Sequence, residues 1–221
     1  MKKWTLRKAV LLTLVSAVLM CGCGKADKTN QENDSSAGSE NVSRTESVAE
    51  DTEELLSGKH YVNIVIKDKG TISVELDADM APVTVTNFVK LAKEGFYDGL
   101  TFHRIIENFV MQGGDPTGTG AGGAEETIKG EFSQNGVANS LSHTRGAISM
   151  ARSQRYDSAS SQFFIVHQDS VYLDGQYACF GYVTEGMDIV DDICENTTGQ
   201  DGNGVVPQEN RPVIDTIEVV E

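Results

Sequence analysis

The chain has 221 residues, and 33 Asp and Glu against 18 Lys and Arg leave a formal net charge of −15. So acidic a chain repels phosphate backbones, which argues against a nucleic-acid partner. The length admits one large domain or two small ones, and a single core of about 160 residues is comfortably large enough to bury most of its apolar surface.

The N-terminus has the parts of an export signal. Lys2, Lys3, Arg7 and Lys8 form a positive start, and Ala9 to Met20 is an unbroken apolar and small run of the length of a signal core, short for a membrane span. Cys21-Gly22-Cys23-Gly24 follows. A small residue just before a cysteine at the end of such a run resembles the lipobox of bacterial lipoproteins, and Cys23, behind Gly22, fits better than Cys21. An ordinary cleaved signal and a short membrane anchor are the alternatives. From Gly24 to Gly58 the chain is rich in Ser, Glu, Asp, Asn, Thr and Lys and has no aromatic residue. It holds too little apolar surface to offset chain entropy, so a disordered tether is expected. The resulting division is a signal peptide at 1–22, a polar tether at 23–58 and a folded domain at 59–221. It places the domain at the cell membrane, lipid-anchored and facing outside the cytoplasm.

Within the domain, Tyr61–Ile66 and Thr71–Leu76 are β-branched and roughly alternating, and Lys67-Asp68-Lys69-Gly70 joins them into a hairpin. Pro82 suits a first helical turn, Val85, Phe88, Val89 and Ala92 recur at helical spacing, and Gly95 ends the helix. Short apolar runs follow at Leu100–Ile106, Phe109–Gln112, Ala147–Ala151, Phe163–Val166 and Cys179–Val183. A second helix is expected over Met187–Cys194, with Val190, Ile193 and Cys194 on its buried face, and Pro212–Val220 reads as a final strand. Many strands with two helices predict a mainly β domain, a closed antiparallel barrel.

The stretch from Phe102-His103-Arg104-Ile105-Ile106 to Gln112-Gly113-Gly114-Asp115 closely resembles the central motif of the cyclophilins. Further blocks agree in order: Gly118, Gly120 and Gly122-Gly123; Gly146 to Ala151; Ser160 to Ile165; Leu173-Asp174-Gly175; and Phe180-Gly181. The resemblance runs from about Tyr61 to Glu221. It implies an eight-stranded antiparallel barrel capped by two α-helices, and peptidyl-prolyl cis/trans isomerase activity on proline-containing unfolded or exported polypeptides.

That activity needs no nucleophile, metal or cofactor, because the barrier of roughly 20 kcal/mol is the amide's own resonance. It needs a twisted amide held more tightly than a planar one. Arg104 is the expected source of that preference, as a guanidinium stays charged and offers donors in a fixed plane to the prolyl nitrogen. The resemblance puts Phe109 and Gln112 beside it as catalytic positions. It assigns substrate contacts to Val110, Ala151, Arg152, Gln162, Phe164, Tyr172, Leu173 and Tyr177. Val110 replaces a common methionine and Arg152 a usual asparagine. Tyr172 replaces the tryptophan that donates to cyclosporin, so weak cyclosporin binding is expected. Tyr177 replaces a histidine.

Other chemistries find little support. His60, His103, His143 and His167 have no metal-ligand spacing, and Gly118–Gly123 lacks the ending of a phosphate loop. No nucleophile-elbow pattern marks a Ser-His-Asp triad. Cys179 and Cys194 read as buried free thiols, with a disulfide as the alternative. The expected cofactor is none and the expected state a monomer. The competing function is a non-catalytic module that holds proline segments as a chaperone or scaffold.

Overall fold

The computed structural model describes residues 54–220. The expected signal peptide, Cys23 and most of the tether lie outside the described residues. The strands are β1 (Lys59–Ile66), β2 (Gly70–Asp77), β3 (Phe102–Ile106), β4 (Val110–Gly113), β5 (Ala147–Met150), β6 (Phe163–Val166), β7 (Cys179–Glu185) and β8 (Ile214–Val220). The helices are α1 (Pro82–Lys93) and α2 (Met187–Asn196). Every strand pairing is antiparallel, in one curled sheet of order β3-β4-β6-β5-β7-β2-β1-β8. Its two outer strands meet through an isolated bridge, Thr101 to Val213, with Phe102 N–H donating to Pro212 O at 3.0 Å and Ile214 N–H to Leu100 O at 2.8 Å. The last strand therefore begins at Ile214, two residues later than its apolar pattern suggests, because Pro212 and Val213 serve this crossing.

Alternation decides the faces of the first hairpin. Val62, Ile64 and Ile66 on β1 and Ile72, Val74 and Leu76 on β2 are buried, with Ile64 opposite Ile72. The turn between them uses Asp68 at φ 59°. On α1, Val85, Phe88, Val89 and Ala92 are buried as their spacing predicts, and α2 buries Val190, Ile193 and Cys194 before running two residues further, to Asn196. Ala81 offers no side chain to cap α1. Glu131, 47 residues away, does so instead: its carboxylate accepts from Val83 N–H at 3.0 Å, Thr84 N–H at 2.7 Å and Thr84 Oγ1 at 2.6 Å.

An aromatic cluster fills the core. The Phe88 ring lies 5.1 Å from Tyr97, 5.3 Å from Phe163 and 5.2 Å from Phe180, tilted or edge-on, where ring quadrupoles attract. Strand β6 is buried on both faces. Phe163 and Ile165 join the main core, while Phe164 and Val166 belong to a second apolar cluster with Val110, Ala147, Leu173 and Cys179. The candidate site is built on that second cluster. Among the described residues Cys179, in the smaller cluster, and Cys194, in the larger, are free thiols, and burial pushes each up to about 12.

The end of the stretch expected as tether rests on the domain. Leu56 N–H donates to Thr86 Oγ1 at 2.9 Å and Gly58 N–H to Asp79 Oδ1 at 2.8 Å, and the partly buried Leu56 packs against the core. Leu55-Leu56 is the apolar pair in an otherwise polar segment, which gives this end something to bury.

Candidate active site

The hairpin of β3 and β4 places Arg104 directly opposite Gln112. Next along the sheet, Gln112 faces Phe164 on β6. A sharp turn at Asn108, φ 61°, brings Phe109 back beneath Arg104, whose guanidinium carbon lies 5.8 Å from the ring centre. Gly114 leaves this hairpin at φ 81°, and a Cβ there would come within 2.5 Å of Ser161 O, so glycine is required for the turn toward β6.

A cavity of about 110 Å³ opens here, lined by Arg104, Phe109, Val110, Gln112, Ala151, Arg152, Phe164, Leu173 and Tyr177. Two of the residues expected from sequence stand outside it. Tyr172 is 63% exposed and stacks on Phe109 with ring centres 6.1 Å apart. Gln162 lines the adjoining groove with Gly120, Gly122, Ser153 and Ser158. The groove and the cavity share Gln112, Ala151 and Arg152, so they form one continuous surface.

A directed chain of hydrogen bonds crosses that surface. Arg104 Nε donates to Asn203 O at 2.9 Å and Nη1 to Gln112 Oε1 at 3.4 Å. Gln112 Nε2 donates to Gln162 Oε1 at 2.9 Å, and Gln162 Nε2 donates to Gly122 O at 2.7 Å and Gly120 O at 3.2 Å. Arginine only donates and the glycine carbonyls only accept, so both amide orientations follow from the ends of the chain. Among the described residues Arg104 Nη2 has no protein partner, which leaves a charged donor for a bound molecule.

The apolar wall is stiffened from behind. Phe164 meets Tyr177 edge-on at 5.8 Å and stacks on the fully buried His143 at 6.0 Å. His143 Nδ1 lies 2.7 Å from Asp174 Oδ1, and a carboxylate accepts, so Nδ1 carries the proton. Nε2 then accepts from Ser149 Oγ at 3.0 Å. These are the members of a hydrolytic triad, but Ser149 is fully buried in β5 and its hydroxyl reaches no substrate. Burial holds the His143 imidazole below its ordinary value against the pull of Asp174. Burial works against ionisation of Asp174 too, but its bonds from Ser142 and His143 outweigh that and keep the carboxyl below the usual range.

Sequence reasoning missed Asn203, His143 and Asp174 as members of this arrangement. Asn203 acts through its backbone carbonyl, which carries no residue signature; the Asp-Gly-Asn-Gly run at 201–204 signals only a turn, which Asp201 closes by accepting from Asn203 N–H and Val205 N–H. His103 is buried beside Asp115, and burial pushes its imidazole down.

The family model described as "Cyclophilin type peptidyl-prolyl cis-trans isomerase/CLD" matches residues 61–219. The chain belongs to this family. Its cyclophilin domain is 50% identical over 124 residues to peptidyl-prolyl cis-trans isomerase B of Bacillus subtilis, covering 56% of this chain and 83% of that protein. It is 48% identical over 143 residues to a peptidyl-prolyl cis-trans isomerase of Helicobacter pylori, covering 64% of this chain and 85% of that protein. Among solved structures it resembles a cyclophilin-type isomerase of Cryptosporidium parvum, with a TM-score of 0.65 and 29% identity over 74% of this chain and 99% of the other. The same Cryptosporidium protein, crystallised in the presence of the dipeptide Ala-Pro, matches with a TM-score of 0.64 and 30% identity over 73% of this chain and 99% of the other.

Proposed function

We propose that this cyclophilin domain accelerates rotation about X–Pro bonds of exported polypeptides by binding the twisted amide more tightly than the planar one. The observation that carries this is Arg104, braced by Asn203 O and Gln112, while among the described residues its Nη2 has no protein partner beside a cavity with Phe109, Val110, Phe164, Leu173 and Tyr177 in its wall. Phe109, Val110, Phe164, Leu173 and Tyr177 receive the pyrrolidine ring, whose compact apolar surface suits aromatic and aliphatic walls. As the amide twists, the prolyl nitrogen recovers a lone pair, and a cation aimed at it stabilises that state selectively. Gln112 and Gln162 hold Arg104 and the neighbouring peptide group, and the backbone of Ala151 and Arg152 lines the groove for an extended chain. A Cryptosporidium relative crystallised in the presence of Ala-Pro supports the choice of ligand. A protease-coupled assay on an X-Pro peptide tests this: the purified domain accelerates isomerisation, and failure to do so leaves a binding module in its place.

We also read the chain as a monomeric lipoprotein, cleaved before Cys23 and anchored outside the cytoplasm, so that the domain meets exported chains at the membrane. The support is the basic start, the apolar run and Gly22-Cys23. Labelling with a radioactive fatty acid should be lost in Cys23→Ala; labelling that survives there and disappears in Cys21→Ala moves the anchor. The curled sheet is read as a closed barrel, on the support of the Thr101–Val213 bridge and the Phe102 and Ile214 amide bonds. Strong exchange protection of those two amides is the expected result.

A further inference from the structure

The Arg152 guanidinium is spent on the protein itself. Nε and Nη2 both donate to Gln176 O, at 2.9 and 2.7 Å, and Nη1 donates to Ser153 O at 2.8 Å. Among the described residues no carboxylate pairs with it. Three aromatic faces surround it instead: its central carbon lies 4.7 Å from the Tyr177 ring centre, 5.1 Å from Phe132 and 5.2 Å from Tyr156. A weakly hydrated planar cation is suited to such a cage, and lysine is not its equivalent.

We infer that Arg152 is a positioning residue that sets the wall of the proline cavity through Tyr177, and thereby governs how tightly the cavity holds its ring; this rests on the isomerase reading above. The guanidinium grips Tyr177 twice, by the face of its ring and by the carbonyl of the residue before it. Gln176 in turn closes the segment that supplies the wall, its N–H donating to Leu173 O at 3.0 Å and its Nε2 to Tyr172 O at 2.6 Å. Tyr177 carries the constraint forward by meeting Phe164 edge-on. While its backbone lines the groove, the bonds of its side chain make Arg152 a strut between the end of β5 and the β6–β7 connection.

The kinetic consequence differs from that of Arg104. A pyrrolidine ring packs against the wall in the cis, trans and twisted states alike, so the wall contributes uniform binding and its loss appears in KM. Arg152→Ala should raise KM for an X-Pro peptide about three- to tenfold while kcat stays within about twofold. In a Tyr177→Leu background the same change should alter KM by less than about twofold, because the ring through which Arg152 acts is gone. An unchanged KM in Arg152→Ala, or an equally large effect in both backgrounds, overturns the inference. Should Arg152→Ala fail to fold, Arg152→Lys replaces it in the cycle, since it loses the two-donor grip on Gln176. Titrating an Ala-Pro-containing peptide, followed by amide NMR, reads the same cycle as Kd. An inactive wild-type chain would therefore count against the isomerase reading alone, while the coupling of Arg152 to Tyr177 is still measured.

Discussion

His143 donates from Nδ1 to Asp174 at 2.7 Å, and the same carboxylate also accepts from His143 N–H at 2.8 Å and from Ser142 Oγ at 2.6 Å. The pair sits behind Phe164 and has a consequence for stability. Burial depresses the folded-state value of His143 below the ordinary 6.5, so around that pH the unfolded chain binds more protons than the folded one. Stability from this site is present above 6.5 and is lost as pH falls below it. His103, also depressed by burial, has the same sign. The Asp174 contribution is lost only lower, as pH falls from its ordinary 3.8 through its lowered value. Thermal midpoints taken from about pH 7.5 to 5 should fall for the wild type and follow a shallower slope in His143→Gln; equal slopes would remove His143 from the account.

Arg104 provides the sharpest test of catalysis. Arg104→Ala should lower kcat/KM by about 100-fold or more, the scale of losing one preorganised electrostatic donor, with the fall mainly in kcat. Arg104→Lys should recover little, because a single ammonium nitrogen lacks the planar fork that reaches Asn203 O and Gln112 from separate nitrogens and presents a third to the cavity. Melting curves close to wild type would separate this from unfolding.

Gln162 stabilises the relay without lining the cavity. In Gln162→Leu, Gln112 loses the acceptor for its Nε2 and is free to turn, which loosens the bond that holds Arg104. A loss of about three- to tenfold in kcat/KM is expected, the scale of one net hydrogen bond. Full activity in this variant would show that Asn203 alone holds the guanidinium.

Glu131 is a stability residue that does not line the cavity. Glu131→Ala leaves the N–H groups of Val83 and Thr84 and the Thr84 hydroxyl without their acceptor. A loss of about 2–4 kcal/mol in urea unfolding is expected, with kcat unchanged at temperatures where the variant is folded. Glu131→Gln retains one acceptor oxygen and should fall between the two.

Much of this protein is legible in local pattern. The period-2 alternation of β1 and β2 and the three- and four-residue spacing on α1 assign faces within a few residues, because side-chain direction repeats with the backbone. The run from Phe102 to Asp115 carries half of the site for the same reason: one hairpin register sets Arg104 opposite Gln112, and one turn returns Phe109 beneath them. The resemblance to cyclophilins then supplied Phe164, Leu173 and Tyr177, and the structure places them on the same cavity. The basic start, the apolar run and the polar composition behind them are also features of the sequence alone, and the export reading proposed above rests on them. Tertiary structure alone decided how those groups are held. The carbonyl of Asn203 reaches Arg104 across 99 residues, Glu131 reaches the start of α1 across 47, Asp174 reaches His143 across 31, and Gln176 O meets Arg152 across 24. Two of those four partners are backbone carbonyls, which every residue possesses, and the other two are common carboxylates. Nothing local distinguishes them. Arg152 changes most by this: the sequence presents a charged residue at the groove, while the fold surrounds that charge with three rings and two carbonyls and turns it into support for Tyr177.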